Sequence, residues 1–527
     1  MKNVISLCII LITCITVTSI RILPFDVSDS ATEYINFTSF NHLRRRLTDR
    51  KNHLVDSIPS LKGNIVTNYA GHLFVEGDHS ALFYWLFEAS SSPATAPLII
   101  WMNGGPGCSS MDGLFLELGP LKIVNNEVTL NPHSWHNIGN LLFIDQPVGT
   151  GLSYTTRGRY PKNDEELSEH FYKMLLEFFK LHSNYVTPGM SGRVSRKVFL
   201  TGESHAGHYL PVFAKHILQK NAAATGPDDL VIDLGGVAIG NGWVDPYNQY
   251  DVSEFMHGLG VLSLGQKYTL KEKERACRGM LKKGVLNSQK CFALLDDIIA
   301  TTGTSSTGRM VMYDAREVSK TRGSYPPGHE DVERYLNRKD VRTALHAQDT
   351  PQPFKECTDP PYNALSHQDG KGAVDELTMV LEAGVRVLMF AGQFDIICNH
   401  LGTERMLNRL KWKGRDAWLR ASTSEFFSVG VSFDNKNMFV LCCSLCVSVP
   451  WAPNNNHAGF VRRALNLQHL VVSNAGHMVN ATLYSACMLI LVANASNIMS
   501  GSSLQTSRGA RYDPTIRKRH PPGCTGN

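Results

Sequence analysis

The sequence predicts an α/β fold with a mostly parallel central sheet, helices on both faces and an inserted lid or cap region. Short apolar runs typical of buried strands alternate with segments whose apolar residues have helical spacing. Residues 246–330 break this alternation with polar, glycine-rich and cysteine-bearing sequence, which predicts an insertion at one edge of the sheet. A chain of 527 residues can form one large domain or two smaller ones.

The individual elements follow from local patterns. Residues 69–76 and 81–88 predict a hairpin around Gly77 and Asp78. Helices are predicted at 165–182, where apolar residues recur at helical spacing, and at about 206–220. The further predicted strands are 98–102, 141–144, 197–201, 236–240, 385–391 and 468–473.

The amino terminus predicts a secretory signal peptide over residues 1–19. Lys2 precedes an apolar run, residues 4–17, which is shorter than the roughly 20 residues of a membrane span. A signal anchor is the alternative. Polar residues 20–60 predict a leader that is trimmed. We therefore expect the secretory pathway, ending outside the cell or in an acidic vacuole-like or lysosome-like compartment, with no membrane span beyond the signal.

Composition excludes several other classes of protein. The chain is 43% apolar and 19% charged, with a net charge of +5 and no long basic block, so nucleic acid is not an expected partner. Twelve cysteines without zinc-finger spacing favour disulfides over a metal site, and no cofactor is expected. The sequence does not determine the oligomeric state. Three glycosylation sequons fit a secreted surface: Asn36, Asn480 and Asn494.

The stretch after the strand at 197–201 has the pattern of a nucleophile elbow. Gly202 precedes Ser204 by two residues and Ala206 follows it by two, and the strained turn of an elbow needs small residues at both places. The helix that begins here directs its N-terminal N–H groups towards the serine. An ordinary tight turn is the alternative, and residues elsewhere in the chain decide between the two.

Two later residues complete a triad in the order serine, acid, histidine. Asp395 follows the strand predicted at 385–391, and His477 follows the strand predicted at 468–473. This order and these positions after strands are typical of the α/β-hydrolase fold. A surface histidine is the alternative for His477 alone. We therefore predict that Ser204, Asp395 and His477 form a catalytic triad.

Four motifs resemble those of the serine carboxypeptidase family: residues 101–110 (WMNGGPGCSS), 202–204, 391–395 and 476–479. Residues 143–154 (FIDQPVGTGLSY) are similar to the fungal branch that trims C-terminal Lys and Arg from processed secretory peptides. The resemblance implies an enzyme that releases C-terminal residues from peptides, so its partners are peptide or protein C-termini.

The resemblance implies a role for each residue of the reaction centre. Ser204 attacks the scissile carbonyl, His477 transfers the proton and Asp395 orients the imidazole. Backbone N–H groups of Gly105 and His205 form the oxyanion hole. The family usually has Tyr where this chain has His205, and only the backbone of that residue is needed for the chemistry.

The resemblance also implies a binding site for the substrate carboxylate, formed by Asn103, Glu117 and Glu203. Two ionised glutamates would repel an anion. Carboxyl groups held close together cannot both ionise, so at acid pH a protonated one donates a hydrogen bond to the substrate. A solvated turn residue is the alternative for Glu203.

Likeness to the family together with spacing implies two disulfides, Cys108–Cys357 and Cys277–Cys291. Cys398 resembles an unpaired cysteine that members of the family have near the active site.

Two segments depart from the family pattern. Residues 421–450 form an atypical apolar insert, and residues 480–527 form an atypical tail. Faulty translation of a gene model is one hypothesis for both. The hydrolase core is then expected at residues 61–245, 331–420 and 451–479.

Three functions remain open on the sequence alone. An acid carboxypeptidase is favoured by the presence of both Glu117 and Glu203. An acyltransferase on the same fold, which passes the acyl group to a small alcohol, needs no site for a peptide carboxylate. The third function is a secreted binding protein that has lost catalysis because its tail is altered.

Overall fold

The computed structural model describes residues 49–125, 127–187, 192–226, 229–301, 304–305, 308–319, 326–428 and 456–479. The signal peptide, most of the leader, most of the atypical insert and the tail lie outside the described residues. The three sequons, Asn36, Asn480 and Asn494, also lie outside them.

The strands are labelled in chain order. They are β1 (Asn68–Glu76), β2 (Ser80–Phe87), β3 (Leu98–Met102), β4 (Leu121–Val124), β5 (Glu127–Leu130), β6 (Asn140–Asp145), β7 (Tyr154–Thr155), β8 (Val198–Glu203), β9 (Leu234–Gly240), β10 (Thr304–Ser305), β11 (Gly308–Val311), β12 (Asp314–Ser319), β13 (Val387–Gly392), β14 (Thr423–Ser428), β15 (Asn456–Ala464) and β16 (Leu467–Val472).

A single large sheet organises the fold. Within the described residues it has eleven strands in the order β1-β2-β6-β3-β8-β9-β13-β16-β15-β14, with β7 paired to β2. The six strands from β6 to β16 are mutually parallel, and the pairs at both edges are antiparallel. The prediction of a mostly parallel sheet is confirmed.

The helices are α1 (Asp164–Leu181), α2 (Ala206–Ala223), α3 (Pro246–Gln249), α4 (Ser253–Gly258), α5 (Leu264–Lys282), α6 (Gln289–Thr301), α7 (His329–Leu336), α8 (Lys339–Ala344), α9 (Asp359–Leu365), α10 (Val374–Glu382), α11 (His400–Leu407) and α12 (Arg415–Arg420). Local signals determine where α1 begins. The side chain of Asn163 accepts a hydrogen bond from the N–H of Glu166 at 2.9 Å, and acidic residues occupy the first turn.

The core has two layers, one on each face of the sheet. Along β3, Leu98, Ile100 and Met102 pack in one apolar cluster, whereas Ile99 and Trp101 pack in the other. Successive strand residues point to opposite faces, so a strand covered on both faces is apolar throughout. Helices α1, α2 and α10 contribute to the first cluster, and α7 and α8 contribute to the second.

The folded body begins before residue 61, where the sequence analysis placed the start of the core. Val55 and Ile58 are buried in one of the two apolar clusters. Arg50 forms an ion pair with Glu88 of 2.8 Å between nitrogen and oxygen. Part of the predicted leader is therefore packed into the core.

The segment predicted as an insertion contains helices α3 to α6 and the short strands β10 to β12, which form a separate three-stranded sheet. The disulfide between Cys277 and Cys291 joins α5 to α6. No helix in the described part of the chain combines the length and apolar character that a membrane crossing requires.

The start of the atypical insert belongs to the main sheet. Strand β14 pairs antiparallel with β15, which in turn pairs antiparallel with β16. The sequence analysis identified neither β14 nor β15 as a strand. Their pairing places the strand that precedes His477 inside the sheet instead of at its edge.

Candidate active site

Three predicted catalytic residues follow parallel strands of the same sheet. Ser204 comes directly after β8, Asp395 follows β13 and His477 follows β16. Strand β9 separates β8 from β13, and β13 is the neighbour of β16. Because parallel strands end at the same edge of a sheet, all three residues lie at its carboxyl edge.

The turn that carries Ser204 has the geometry of a nucleophile elbow. Ser204 has a φ of 60°, which is unusual for a residue other than glycine. A Cβ atom at Gly202 would lie 2.2 Å from the carbonyl oxygen of Met102 and 2.8 Å from the Cβ of Ala206. Only glycine therefore fits two residues before the serine, as the elbow pattern requires.

Asp395 and His477 form a buried hydrogen-bonded pair. Nδ1 of His477 lies 2.8 Å from Oδ2 of Asp395, whose side chain is fully buried. Burial raises the pKa of Asp395, whereas the adjacent imidazole acts to lower it. Among the described residues, Nε2 of His477 has no hydrogen-bond partner. This nitrogen is therefore available to exchange a proton with a nucleophile.

The loop after β3 lies against the nucleophile turn. A Cβ atom at Gly104 would lie 2.3 Å from the backbone nitrogen of His205 and 2.9 Å from the Cβ of Ser204. Gly105 has a φ of 108°, a conformation that favours glycine. The predicted oxyanion donors, on Gly105 and His205, are thus on segments that touch beside the serine.

Asp145, at the end of β6, supports this loop and was not identified from the sequence. Its Oδ1 accepts hydrogen bonds from the Ser109 hydroxyl at 2.6 Å and the Ser110 N–H at 2.9 Å. The N–H of Leu152 donates to Oδ2 at 2.9 Å. Burial raises the pKa of Asp145 to about 6, against the effect of these donors.

Asn103 and Glu203, two of the three residues predicted to bind the substrate carboxylate, are in direct contact. The Trp101 indole N–H donates to Oδ1 of Asn103 at 2.7 Å, so the amide nitrogen of Asn103 faces the other way. That nitrogen donates to Oε1 of Glu203 at 2.9 Å.

Glu117 lies in the one-turn π-helix Gly113–Glu117. Asn103, Glu117 and Glu203 are 7%, 3% and 4% exposed. Burial, and then the neighbouring Glu117 carboxyl, raise the pKa of Glu203 well above its usual range. The group formed by these three residues can therefore hold a proton on a carboxyl.

Further carboxyl groups surround this site and were not singled out from the sequence. Asp112 is 3% exposed, and its pKa is raised well above its usual range by burial and by Glu356. Burial also raises the pKa of Glu356, with Glu333 adding to the effect. Asp112 in turn contributes to the raised pKa of Glu203. Together Asp112, Glu117, Glu203 and Glu356 form an acidic cluster, of which Glu203 directly precedes the nucleophile.

The side chain of His205 packs on helix α2. Its ring centroid lies 5.5 Å from that of His208 and 4.9 Å from that of Tyr209. Burial and the nearby His208 lower the pKa of His205 to about 3, which keeps the ring neutral in mildly acidic solution. Nε2 of His208 lies 2.8 Å from Oδ1 of Asp164.

The structure contains both disulfides that the sequence analysis expected. Cys108 is bonded to Cys357 and ties the oxyanion loop to the segment that precedes α9. Cys277 is bonded to Cys291. Cys398 is a buried free cysteine, and its sulfur lies within 4.8 Å of a carboxylate oxygen of Asp395 and a ring nitrogen of His477.

The inserted segment also reaches the reaction centre, at the turn between β11 and β12. The carbonyl of Tyr313 accepts a hydrogen bond from the N–H of His477 at 2.8 Å. The carbonyl of Met312 accepts a hydrogen bond from the N–H of Ile396 at 3.1 Å. The N–H of Ala315 donates to the carbonyl of Phe394 at 2.9 Å. These bonds connect the insertion to the loops of both Asp395 and His477, and no local sequence pattern indicated them.

Asn241 is a further residue at the site that sequence reasoning missed. It follows β9, the strand between those that lead to Ser204 and Asp395, and it is 1% exposed. Its position in Gly240-Asn241-Gly242, directly after the predicted strand 236–240, was the available signal.

Comparison with known proteins identifies the family of the chain. The family described as serine carboxypeptidase matches residues 59–493. Pheromone-processing carboxypeptidase KEX1 of Phytophthora infestans is 35% identical over 486 residues, 91% of this chain and 77% of that protein. Serine carboxypeptidase S10 family member 2 of Dictyostelium discoideum is 39% identical over 391 residues, 72% of this chain and 68% of that protein.

A solved structure shows the same architecture. The crystal structure of Kex1(delta)p, a prohormone-processing carboxypeptidase from Saccharomyces cerevisiae, superposes with a TM-score of 0.73 at 26% identity. The match covers 85% of this chain and 96% of the yeast chain. With a family match over most of its length and relatives above 30% identity, the chain belongs to the serine carboxypeptidase family.

Proposed function

We propose that this protein releases C-terminal amino acids from peptides through an acyl-enzyme on Ser204, and that it works best at acid pH. The Ser204 hydroxyl oxygen bonds to the carbonyl carbon of the last peptide bond while Nε2 of His477 accepts its proton. Backbone N–H groups of Gly105 and His205 stabilise the oxyanion. His477 then gives the proton to the leaving amine as the C–N bond breaks. Water, deprotonated by His477, then bonds to the acyl carbon. The ester bond to Ser204 breaks, His477 returns the proton to the serine oxygen, and the shortened peptide is released.

The observation that carries the proposal is the hydrogen-bonded pair of Asn103 and Glu203 beside the nucleophile. Glu203 directly precedes Ser204, so a substrate carboxylate bound to this pair lies close to the nucleophile, as attack on the last peptide bond requires. The raised pKa of Glu203 keeps a proton available for that carboxylate under acid conditions. A site of this kind favours a carboxypeptidase over an endopeptidase or an acyltransferase.

The acidic cluster supports a preference for C-terminal Lys or Arg. Asp112 and Glu356 add carboxyl groups around the site for the terminal residue. A cationic side chain placed among them would stabilise their ionised forms and gain charge-assisted hydrogen bonds. The curated relative from Phytophthora infestans is named as a pheromone-processing enzyme, which agrees with substrates made in the secretory pathway.

An acid compartment of the secretory pathway suits this chemistry. The predicted signal peptide at residues 1–19 directs the chain there. The carboxyl groups that must hold a proton are more fully protonated at acid pH.

A C-terminal ladder experiment tests the proposal. A peptide ending in Lys-Lys is incubated at pH 5 with the native protein and with the Ser204→Ala variant, and products are followed by mass spectrometry. We expect stepwise loss of C-terminal residues with the native protein and none with the variant. A peptide amide should be a poor substrate. Internal cleavage, or transfer of the acyl group to added methanol without hydrolysis, would contradict the proposal.

A further inference from the structure

Asn241 makes buried hydrogen bonds to two loops of the catalytic triad. Its Nδ2 donates to the carbonyl oxygens of Gly476 at 3.0 Å and of His477 at 2.7 Å. Its Oδ1 accepts from the N–H of Gly392 at 2.7 Å. A single amide side chain thus joins the loop of the histidine to the end of the strand that leads to Asp395.

These two loops approach closely at the point where Asn241 joins them. A Cβ atom at Gly392 would lie 1.9 Å from the carbonyl oxygen of Gly476. Asn241 itself has a φ of 38°, a conformation that asparagine adopts more readily than most residues. Its own N–H donates to the carbonyl of Phe390 in β13 at 2.8 Å. The backbone and the side chain of Asn241 therefore hold the same region.

The residues next to Asn241 hold the nucleophile turn. The N–H of Ser204 donates to the carbonyl of Gly240 at 3.1 Å, and the N–H of Trp243 donates to the carbonyl of Ser204 at 2.8 Å. A Cβ atom at Gly207 would lie 2.6 Å from the backbone nitrogen of Trp243. The segment from Gly240 to Trp243 is consequently in contact with the loops of all three triad residues.

We infer that Asn241 is a positioning residue for catalysis, which holds the main chain of His477 at the correct distance from Asp395 and Ser204. The inference rests on the proposed function and adds to it a residue outside the triad. The polar atoms of the Asn241 side chain form hydrogen bonds with main-chain groups of the triad loops. Asn241 is not one of the residues proposed to bind the substrate carboxylate. Loss of its bonds should therefore lower turnover and leave substrate affinity unchanged.

Asn140 provides a matched control because it makes the same kind of bonds far from the triad. It is fully buried at the start of β6, and its Nδ2 donates to the carbonyls of Pro93 at 3.0 Å and Ala96 at 3.1 Å. Its Oδ1 accepts from the N–H of Ala89 at 3.1 Å. A change from Asn to Asp at either position replaces a donor to two carbonyls by an acceptor.

The experiment compares Asn241→Asp, Asn241→Gly and Asn140→Asp with the native enzyme. Glycine at position 241 removes the amide and tolerates the positive φ, so it separates lost hydrogen bonds from backbone strain. The fraction of folded protein is measured by near-ultraviolet circular dichroism. Then kcat and KM for a peptide, and the rate of Ser204 phosphonylation by a fluorophosphonate, are expressed per folded molecule.

We expect both Asn241 variants to lose about 100-fold in kcat and in phosphonylation rate with KM unchanged, because small misplacements of catalytic groups have costs of that size. Asn140→Asp should lose folded protein and retain native kcat per folded molecule. Native kcat per folded molecule in Asn241→Gly, or an equal loss in Asn140→Asp, would overturn the inference. Peptide turnover that survives Ser204→Ala would instead overturn the proposed function.

Discussion

Nδ1 of His477 lies 2.8 Å from Oδ2 of Asp395, and the two residues follow neighbouring parallel strands, β16 and β13. The carboxylate accepts a hydrogen bond from the N–H at Nδ1, so Nε2 keeps a free lone pair. Because Asp395 is fully buried, no solvent competes for this hydrogen bond. The arrangement fixes one tautomer of the histidine.

We expect Asp395→Asn to lower kcat by about 10⁴-fold with little effect on folding, because the amide preserves size and reverses the hydrogen bond. An NH₂ group facing Nδ1 favours the tautomer with its proton on Nε2, which cannot accept a proton from Ser204. Steady-state kinetics near neutral pH measure the effect. A loss of less than tenfold would show that Asp395 does not orient the imidazole.

Ser204→Ala should abolish nearly all turnover, with a loss of about 10⁴- to 10⁶-fold, and should leave peptide binding intact. The groups proposed to bind the substrate carboxylate lie outside the serine side chain. Turnover is followed by release of the terminal amino acid, and binding by calorimetry. Ser183→Ala, at an exposed serine, is the control and should retain native kinetics. A Ser204→Ala protein with a tenth of native activity would contradict the elbow assignment.

The raised pKa of Glu203 predicts that KM for peptides rises from about pH 5 to about pH 8, with a smaller change in kcat. As pH rises through this pKa, the carboxyl loses the proton it donates and repels the substrate carboxylate. The Glu203 proton acts in substrate binding and takes no part in the proton transfers of the chemical step, so kcat should change less. Glu203→Gln keeps a donor and cannot ionise, so it should flatten the KM profile.

A peptide amide is the substrate control for this prediction, since it has no carboxylate to repel. Its KM should change less over the same range. Stability should follow the same titration: a carboxyl whose pKa is raised by folding stabilises the protein below its unfolded pKa, and this contribution is lost as pH rises through the folded pKa. Glu203→Gln should therefore reduce the fall in Tm between pH 5 and pH 8. Matched KM profiles for acid and amide, unchanged in Glu203→Gln, would refute the carboxylate site.

The acidic cluster predicts which terminal residue is preferred. Asp112→Asn and Glu356→Gln should each lower kcat/KM for a peptide ending in Lys by about 10- to 100-fold, because a hydrogen bond to a charged group contributes about 1.5–3 kcal/mol. A peptide ending in norleucine, which lacks the charge at similar size, should be affected far less. Glu330→Gln, at an exposed glutamate, is the protein control. Equal losses for both peptides would remove the cluster from the specificity site.

The two disulfides should differ in their contribution to stability. Cys108–Cys357 joins residues 249 apart in sequence, whereas Cys277–Cys291 joins residues 14 apart. A loop of about 15 residues contributes about 3 kcal/mol, and longer loops contribute more. Replacing both cysteines of the long loop by serine should therefore lower the free energy of unfolding further than the same change in the short loop, as measured by urea denaturation. It should also lower kcat, because Cys108 lies close to the oxyanion loop.

Much of the fold could be predicted, and the candidate triad could be proposed, because the signals are local. Buried strands are apolar runs, α1 has helical spacing and a capping residue, and Ser204 lies in a short motif after a strand. The order of Ser204, Asp395 and His477 then relates distant parts of the chain without a structure. The large parallel sheet follows from the alternation of elements.

Residues that act through contacts distant in sequence could not be found in this way. Asn241 bonds to residues 151 and 236 positions away, and Asp145 bonds to residues 35 and 36 positions before it. Glu356 belongs to the acidic cluster only because its segment, distant in sequence, lies close to Asp112 in the folded chain. Strands β14 and β15 were missed for a similar reason, since the pairing of β14 with β15 and of β15 with β16 defines them more than their own composition does.

The turn between β11 and β12 limits which segments can be exchanged between homologous enzymes in a chimera. Its carbonyl groups at Met312 and Tyr313 accept hydrogen bonds from the loops of Asp395 and His477, so this turn helps to hold the two catalytic loops in place. The helices α5 and α6 of the same insertion are joined to each other by a disulfide and pack in an apolar cluster that also contains Ile396, next to Asp395. A chimera designed to acquire a new substrate range can therefore replace those helices, provided that the graft ends before β11, keeps the native turn and preserves the apolar packing on Ile396.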